Sequence, residues 1–383
     1  MAITLEKLCK QVAFLYKMKL EAGENGLKNI VKWVHILEDD DVSKFLHGNE
    51  LIFTTGIIYT DEVWLLNFIK KLNEKCVSGI VINIGPHIKS LPKDVIEYCN
   101  KFNLPLYSVP WETRLVDITK DLCKKIVQSE HVEESIVSIF KNIIFESADI
   151  SNYIPLLERK SFHANNSYTV LAIYSKSKNH NASTDTSLKF YLEKVTNRIN
   201  DLAISFTYEN NRIVILSEYT EDDISTLITE IKRQYLLSHG NNYIVGIGST
   251  QKGFESISKS FKRAMAVVNL CIKKNQSVLN YNYLDTYQIL LEAGDYSVLK
   301  NFYNKILKPI ELSDSKNNTN YMKFIETYLE SNGSVQIVAE KMFMHRNSIL
   351  YQLNKIHKLT GADLTELNVK LNFLLCLYIK DLL

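Results

Sequence analysis

Residues 333–361 read GSVQIVAEKMFMHRNSILYQLNKIHKLTG and contain two apolar patterns with helical spacing, separated by a short interruption. Ser334 suits the N-cap of the first helix, because its hydroxyl can accept a hydrogen bond from an amide of the opening turn. Gly361 suits the end of the second helix. The residues predicted to face inward are Val335, Val338, Ala339 and Met342 on the first helix, and Ile349, Leu350, Leu353 and Ile356 on the second. The stretch therefore predicts two helices joined by a tight turn.

The second predicted helix has a polar and basic side. Between Lys341 and Lys358 there are four basic residues, two histidines and no acidic residue. A helix-turn-helix reader of DNA combines a buried stripe with such a face, on which Arg suits guanine, Asn and Gln suit adenine, and other polar side chains meet phosphates. The predicted DNA contacts are His345, Arg346, Asn347, Ser348, Tyr351, Gln352 and Lys355. From the pattern alone, an ordinary helical hairpin with a solvated basic side remains the alternative.

Composition limits the class of protein. A chain of 383 residues with 46% hydrophobic and 23% charged residues is typical of a globular protein with two to four domains. The net charge is only +2, so any contact with nucleic acid must come from a local patch. Six scattered cysteines favour free thiols in a reducing cytoplasm over zinc sites or disulfides. No signal peptide or membrane span is recognisable, and we expect a cytoplasmic protein.

Residues 1–127 alternate strand-like and helix-like segments. Gly79–Gly85 is almost wholly apolar, as expected of a strand covered on both faces. Asp61–Lys75 is predicted to be helical, with an inner stripe of Val63, Leu66, Ile69 and Leu72. The repeated strand-helix-strand order predicts an N-terminal α/β domain with a mostly parallel sheet.

Thr54, Thr55 and Gly56 follow one of these predicted strands. In open α/β sheets, small ligands bind beyond the carboxyl ends of the strands, and two hydroxyls with a glycine could cradle a small polar ligand there. We therefore take these three residues as candidate effector-binding residues. The simpler interpretation is that they only turn the chain.

A long helix is predicted from Leu115 to about Glu146, leading into a helical connector at residues 128–166. Its apolar residues lie at spacings of three and four with one gap of ten, and they are Leu115, Ile118, Leu122, Val132, Ile136, Ile139 and Ile143. Such a seam could pair two subunits, so we expect a homodimer or higher homo-oligomer. Packing of the helix on its own domain is the alternative.

Residues 167–275 follow a β-α-β-β-α-β order, which is typical of ferredoxin-like domains. Residues 276–319 are predicted to be a helical connector, ending in a polar and turn-rich linker at Leu312–Asn320. Residues 320–383 are predicted to form an all-α domain that contains the helix-turn-helix. The fold class is thus multidomain α/β with an α-helical C-terminus.

Segments along most of the chain resemble the PucR-type (purine catabolism regulator) bacterial transcription factors, whose relatives include sugar-diacid regulators. The N-terminal segments are Trp33–His35, the acidic run Glu38–Asp41, Glu50–Gly56, Ser78–Val81 and Leu104–Leu106. The middle segments are Gly246–Gly248 and Ser260–Ala264. The C-terminal segments are Val338–Glu340, His345–Ser348, Tyr351–Leu353 and Leu359–Gly361.

The resemblance implies an effector domain, a degenerate GGDEF-like middle domain and a dedicated helix-turn-helix. The aromatic residue Phe343 is similar to what the family commonly has at this position. Gln352, in contrast, stands where the family is expected to carry Arg. We accordingly expect a metabolite-responsive regulator that binds double-stranded DNA and controls a catabolic operon for purines or related nutrients. It is expected to need no cofactor or metal, to have no catalytic residue and to bind a small-molecule effector.

Two other functions are alternatives to a DNA-binding regulator. The middle domain could be a signalling enzyme or a nucleotide-binding module, but its predicted hairpin turn, Tyr208–Arg212, has one acid and no glycine. An active GGDEF-type site would need glycine to approach phosphates and carboxylates to hold Mg²⁺. Alternatively, the terminal helices could be a docking surface for another protein.

Overall fold

The computed structural model describes residues 3–39, 45–146, 150–175, 182–238, 243–293 and 295–383. Asp40 and Asp41 of the predicted acidic run lie outside these residues. The chain divides into two compact units. One consists of Met1–Thr169, Ser177–Asn241 and Gln251–Ser258, and the other of Val170–Lys176, Asn242–Thr250 and Lys259–Leu383.

The N-terminal region is an α/β domain, as predicted. Its elements are α1 (Leu5–Leu15), β1 (Lys19–Ala22), β2 (Trp33–Ile36), β3 (Glu50–Thr54), α2 (Glu62–Glu74), β4 (Gly79–Ile84), α3 (Lys93–Lys101) and β5 (Leu106–Pro110). The sheet has the order β1-β5-β4-β3-β2. Strands β2 to β5 are parallel, and β1 is antiparallel to β5.

Strand β4 is buried on both faces, which explains its continuous apolar sequence. Ile80 and Ile82 belong to the core formed with α2 and α3, whereas Val81 belongs to the core formed with α1. Helix α2 begins where predicted, because the Asp61 carboxylate accepts a hydrogen bond from the amide of Trp64 at 2.8 Å.

The predicted inner stripe of α2 is wrong at Val63, whereas Leu66 is partly buried against the core. The buried residues of this helix are Leu65, Phe68, Ile69 and Leu72. Val63 is 67% exposed. Both sets of residues have helical spacing, and tertiary packing on the sheet decides between them.

Helix α4 (Leu115–Phe145) is the predicted long helix, with 31 residues. Ile118, Leu122 and Ile126 pack into the N-terminal core with α1. Near the other end, the ring of Phe140 lies 5.2 Å from that of Phe162. Much of the apolar stripe is therefore buried within the chain, which favours packing on its own domain over the alternative of a seam between subunits.

The middle of the chain follows the predicted order of strands and helices. A 3-10 turn and α5 (Ile154–Glu158) lead into β6 (Ser167–Ser175), α6 (Ala182–Ile199), β7 (Ala203–Tyr208), β8 (Asn211–Ser217), α7 (Glu221–Ser238), β9 (Tyr243–Ile247), β10 (Gln251–Lys252), α8 (Glu255–Lys274) and β11 (Val278–Asn280). The sheet order is β11-β9-β6-β8-β7, with β10 paired to β6.

The rest of the described chain is helical. The elements are α9 (Thr286–Leu291), α10 (Tyr296–Ile306), α11 (Lys308–Asn317), α12 (Tyr321–Glu330), α13 (Val335–Met342), α14 (Arg346–Thr360) and α15 (Leu367–Leu382). Helices α9 to α11 contribute Leu290, Leu299, Tyr303, Leu307 and Ile310 to the core that also contains Phe324, Val338 and Phe373. The C-terminal core therefore includes side chains that precede residue 320.

The prediction of a turn-rich linker at Leu312–Asn320 is wrong for most of its length, because α11 extends to Asn317. The turn after α11 is held by Asp314. Its carboxylate accepts hydrogen bonds from the Thr319 hydroxyl at 2.6 Å and from the amides of Tyr321 and Met322 at 2.9 Å. Polar residues that suggested a linker thus serve as a cap for α12.

Replacing Leu122 by Ala should destabilise the protein by about 2–5 kcal/mol, because the side chain is fully buried and its removal leaves a cavity. The change is measured by thermal or urea unfolding of the whole chain at several protein concentrations. The matched control is Val116→Ala on the same helix, where the side chain is 70% exposed. We expect the control to change stability by no more than about 0.5 kcal/mol.

The loss in Leu122→Ala should be independent of protein concentration, since Leu122 packs within its own chain. Equal losses in the two variants would contradict the packing described for α4. A destabilisation that disappears at high protein concentration would instead indicate a seam between subunits.

Candidate nucleic-acid interface

The first helix of the predicted motif, α13, is capped as expected. The hydroxyl of Ser334 accepts a hydrogen bond from the amide of Ile337 at 3.4 Å. Val338 is completely buried in the C-terminal core, and Val335, Ala339 and Met342 are partly buried against that core. The predicted apolar face of this helix is therefore confirmed.

The turn between the helices consists of Phe343, Met344 and His345. Phe343 ends α13 in the left-handed conformation, with φ 54°. The amide of Met344 donates to the carbonyl of Ala339 at 2.9 Å, which closes the turn. His345 is the N-cap of α14, and its Nδ1 accepts a hydrogen bond from the amide of Asn347 at 3.3 Å. This bond requires an unprotonated Nδ1.

The rotation of α14 is set by two side chains. Ile349 and Ile356 are completely buried, one above the other, in the core that contains Val338. Residues spaced three or four apart share a helix face, so the opposite side of α14 is also determined. The exposed residues on that side are Asn347, Tyr351, Asn354 and Lys358, which we call the outer stripe.

The predicted DNA contacts differ in their exposure. Arg346, Asn347, Tyr351 and Lys355 are exposed, and the ammonium of Lys355 lies 5.4 Å from the centre of the Tyr351 ring. Ser348 is only partly exposed. The side chain of His345 is exposed but already serves as the cap of α14.

Gln352 is half-buried, and its Oε1 atom is buried without a hydrogen-bond partner among the described residues. Its amide oxygen is therefore withdrawn from the surface that the outer stripe presents. Gln352, where the resemblance led us to expect Arg, is thus a predicted contact whose amide oxygen is not available on the surface.

One of the two predicted inward-facing leucines of α14 is corrected. Leu350 is 49% exposed, because it lies about a quarter-turn away from the line joining Ile349 and Ile356. Leu353 is partly buried against the C-terminal core, as expected. The pattern in the sequence contained one apolar residue more than the core accepts.

The structure also adds surface residues that were not predicted. Asn354 and Lys358 complete the outer stripe, and their spacing of three and seven residues from Tyr351 was available in the sequence. Phe343 is 97% exposed at the turn. An aromatic ring so fully exposed is a large apolar surface beside the N-terminus of α14.

The candidate effector residues Thr54, Thr55 and Gly56 lie together at the carboxyl end of β3, where their donors converge on one carboxylate. Glu38 accepts hydrogen bonds from the Thr54 and Thr55 hydroxyls at 2.9 and 2.8 Å. It also accepts from the amides of Thr55, Gly56 and Ile57 at 2.8, 3.1 and 3.4 Å. These groups form a cradle for an anion, and the chain's own Glu38 occupies it.

Gly56 is required by the shape of this cradle. Its φ of +71° is disfavoured for other residues, and a Cβ atom there would lie 2.5 Å from Cδ1 of Ile88. The segment thus turns the chain and holds the chain's own Glu38 carboxylate, and its binding of an effector stays a prediction.

The remaining chemistry of the described residues is limited. They contain no group of three or more His, Cys, Asp or Glu side chains placed to hold a metal ion. In the same part of the chain, no helix is long and apolar enough to cross a membrane. The turn between β7 and β8 contains Glu209, with φ 50°, as its single acidic residue.

Two protein families match the chain. Residues 7–126 match the family described as "Purine catabolism regulatory protein-like family". Residues 321–379 match the family described as "PucR C-terminal helix-turn-helix domain". The two matches cover the N-terminal α/β domain and the helices α12 to α15 with most of their core.

Curated relatives are similar at low identity. The proline-responsive transcriptional activator PutR of Bacillus subtilis is 22% identical over 66% of this chain and 59% of its own length. The purine catabolism regulatory protein of Bacillus subtilis is 28% identical over 30% of this chain and 23% of its own. The carbohydrate diacid regulator of Escherichia coli is 25% identical over 41% of this chain and 40% of its own.

This chain spans less than two thirds of the length of each of these relatives. A solved regulator of polyketide synthase expression from Bifidobacterium adolescentis matches 66% of this chain and 92% of its own, with 13% identity and a TM-score of 0.33. That score is too low to support an inference about the fold.

The matched families and these relatives are transcriptional regulators, and the prediction that the chain is not an enzyme is confirmed. The predicted resemblance is confirmed at both ends of the chain as well. The chain therefore carries the PucR family domain at residues 7–126 and the PucR C-terminal helix-turn-helix domain at residues 321–379.

Proposed function

We propose that the protein is a sequence-specific DNA-binding transcriptional regulator that acts in the cytoplasm and places α14 in the major groove. The observation that carries this proposal is the outer stripe of α14. Asn347, Tyr351, Asn354 and Lys358 are exposed together on the side opposite Ile349 and Ile356. A recognition helix requires such a polar face together with a firmly anchored inner face.

The N-terminal residues of a recognition helix usually contact the base edges. We assign that role to Arg346 and Asn347, which begin α14 and are exposed. Arg pairs well with guanine and Asn with adenine, because each can form two hydrogen bonds to the major-groove edge of its base. With the oxygen of Gln352 buried, Asn347 is the better candidate for adenine.

We assign phosphate contacts to the basic residues farther along α14. Lys355 and Lys358 are exposed on or beside the outer stripe, and no acidic residue lies between Lys341 and Lys358. In a chain with a net charge of +2, this local patch must supply the attraction to DNA. Binding should therefore weaken as the salt concentration rises.

The N-terminal domain is proposed to sense a small metabolite and so to control a catabolic operon. Support comes from the names of the relatives, which refer to proline, purine catabolism and carbohydrate diacids. Purines or a related nitrogen or carbon source are the expected nutrients. At Thr54, Thr55 and Gly56 an effector would have to displace the Glu38 carboxylate.

The middle region is proposed to be a ferredoxin-like domain of the degenerate GGDEF type. Its β-α-β-β-α-β order and the strand order β9-β6-β8-β7 support this fold. Its role is proposed to be structural, because the hairpin turn offers one acidic residue where an active site of that type needs several. Assembly as a homodimer would present two recognition helices to half-sites about one helical turn apart, or a multiple of it.

The direct test is a gel-shift titration of the whole protein with the promoter region of its own operon, at increasing salt concentration. We expect a saturable complex that competitor DNA of another sequence displaces poorly, and that weakens as salt rises. Absence of binding, or binding that salt does not weaken, would reject the DNA-binding proposal.

Arg346→Ala should weaken binding to the preferred site by about 1–3 kcal/mol and relax the preference at one base position, because a bidentate contact to guanine is lost. The measurement is a binding titration against operators that vary one base pair at a time. An equal loss on every sequence would assign Arg346 to a phosphate instead of a base.

Lys358→Ala should weaken binding similarly on every sequence and reduce the slope of log K against log salt by about 1, as expected for one lost phosphate contact. The control is Lys300→Ala, which removes an exposed lysine from α10. If both variants keep the wild-type slope, or both lower it equally, the patch on α14 is not the phosphate-binding surface.

A further inference from the structure

A cleft of about 570 Å³ opens at the carboxyl ends of β4 and β5, away from the Glu38 cradle. Ligands of open α/β sheets bind in such crevices, beyond the carboxyl ends of parallel strands. The volume lies in the range of pockets that hold small molecules, about 300–1,000 Å³. None of the candidate effector residues from the sequence lines this cleft, whose lining comes from the edge strand β1, the end of β5 and the start of α3.

One side of the cleft is apolar. Half-buried Ile84, Leu91 and Ile96 line it together with Pro110 and the partly exposed ring of Trp111. The ring of Trp111 is held closely. A Cβ atom on Gly85 would lie 2.7 Å from Cβ of Trp111, and the ring of His87 packs on it edge-on at 5.6 Å. The apolar side is therefore suited to an aliphatic or cyclic hydrocarbon group.

The other side of the cleft is centred on Glu21. Its carboxylate accepts a hydrogen bond from the Ser108 hydroxyl at 2.7 Å and from the Lys19 ammonium at 3.1 Å. Burial acts to raise the pKa of Glu21, but hydrogen bonds from Ser108 and Lys19 more than offset it and hold the pKa below its usual value. Glu21 is therefore charged at neutral pH.

The charges that line the cleft balance. Lys17 and Lys19 carry positive charge, and Glu21 and Glu112 carry negative charge. A ligand with one sign of charge would meet repulsion from half of this set, whereas a zwitterion would find a partner for each of its charges. The volume of the cleft suits a small molecule, and its apolar side favours one with a hydrocarbon group.

We propose that this cleft binds a free α-amino acid with an apolar side chain, and that this molecule is the effector of the regulator proposed above. The ammonium of the amino acid contacts Glu21, and its carboxylate contacts Lys19 or Lys17. The side chain packs between Ile84 and Trp111. The identification as effector rests on the proposed function, but the binding site itself does not.

The present ion pair makes this exchange feasible. The side chain of Lys19 is 74% exposed, so its pairing with Glu21 is a surface pair that contributes little to stability. A bound zwitterion breaks the ion pair between Lys19 and Glu21 and forms two new ion pairs, one through its ammonium and one through its carboxylate. Ser108 stays in place, since it lies on β5 and is paired there with Lys19 of β1 in the sheet.

The test is isothermal titration calorimetry of the whole protein with each standard amino acid. Two analogues of leucine serve as probes of charge: isoamylamine, which lacks the carboxylate, and 4-methylpentanoate, which lacks the ammonium. We expect saturable binding of one or more apolar amino acids. If leucine is among them, both analogues should bind at least tenfold more weakly than leucine. If another amino acid is preferred, its own amine and acid analogues replace these probes.

Variants locate the site. Glu21→Gln keeps the size of the side chain but removes the charge that contacts the ammonium, and it should weaken binding about tenfold or more. Trp111→Ala should also weaken binding, and since the ring is partly exposed the variant should fold. The matched control is Glu97→Gln on the exposed side of α3, which should bind as the wild type does.

The proposal is overturned if no amino acid binds, if either single-charge analogue binds as tightly as the amino acid, or if Glu21→Gln and Trp111→Ala bind as the wild type does. Gel shifts with the promoter DNA separate this result from the proposed function. Amino-acid binding by a protein that fails to bind DNA would reject only the regulator, and DNA binding without amino-acid binding would reject only this site.

Discussion

The burial of Ile349 and Ile356 fixes the part of the molecule on which the proposed function depends. Both side chains are completely buried in the C-terminal core, and their spacing of seven residues permits only one rotation of α14 about its axis. That rotation exposes the outer stripe and leaves the side chain of Gln352 half-buried. Capping of α13 by Ser334 and of α14 by His345 fixes where the two helices begin. A surface made of ordinary polar residues is thereby held in one arrangement.

The N-terminal domain depends on a different constraint, the burial of a parallel sheet on both faces. Strand β4 is apolar because helices cover both sides, and polar side chains are therefore confined largely to the edges of the sheet. At the carboxyl edge, one group of donors is satisfied by Glu38. The cleft beside Glu21 and Trp111 is a second place at that edge where polar and apolar groups converge on open space. The carboxyl edge of the sheet thus contains one site whose donors are occupied by Glu38 and one cleft that is open.

Much of this arrangement could be predicted from the sequence where the signal is local and periodic. The run Gly79–Gly85 is almost wholly apolar, and the helix from Leu115 and the pair Ile349 and Ile356 place apolar residues at helical spacing. The prediction was wrong where several residues satisfied the same period. Val63 and Leu350 fit a helical stripe as well as their neighbours do, and only the partner surface determines which residue is buried.

Other features depend on contacts that are distant in sequence or on single side chains. Glu38 meets the segment Thr54–Ile57 only because β2 and β3 are adjacent in the sheet. The cleft requires β1 to pair with β5, although the two strands are far apart in the chain. The Asp314 carboxylate caps α12 from within a polar segment. Composition alone had suggested that this segment was a linker.

Photo-crosslinking can show whether the outer stripe of α14 touches DNA. A photo-crosslinking amino acid placed at Asn354, or at Lys300 as the control, would be irradiated with the full chain bound to its promoter fragment. We expect a covalent adduct to DNA from position 354 and none from position 300. Adducts from both positions in equal yield, or from position 300 alone, would contradict the assignment of α14 as the reading helix.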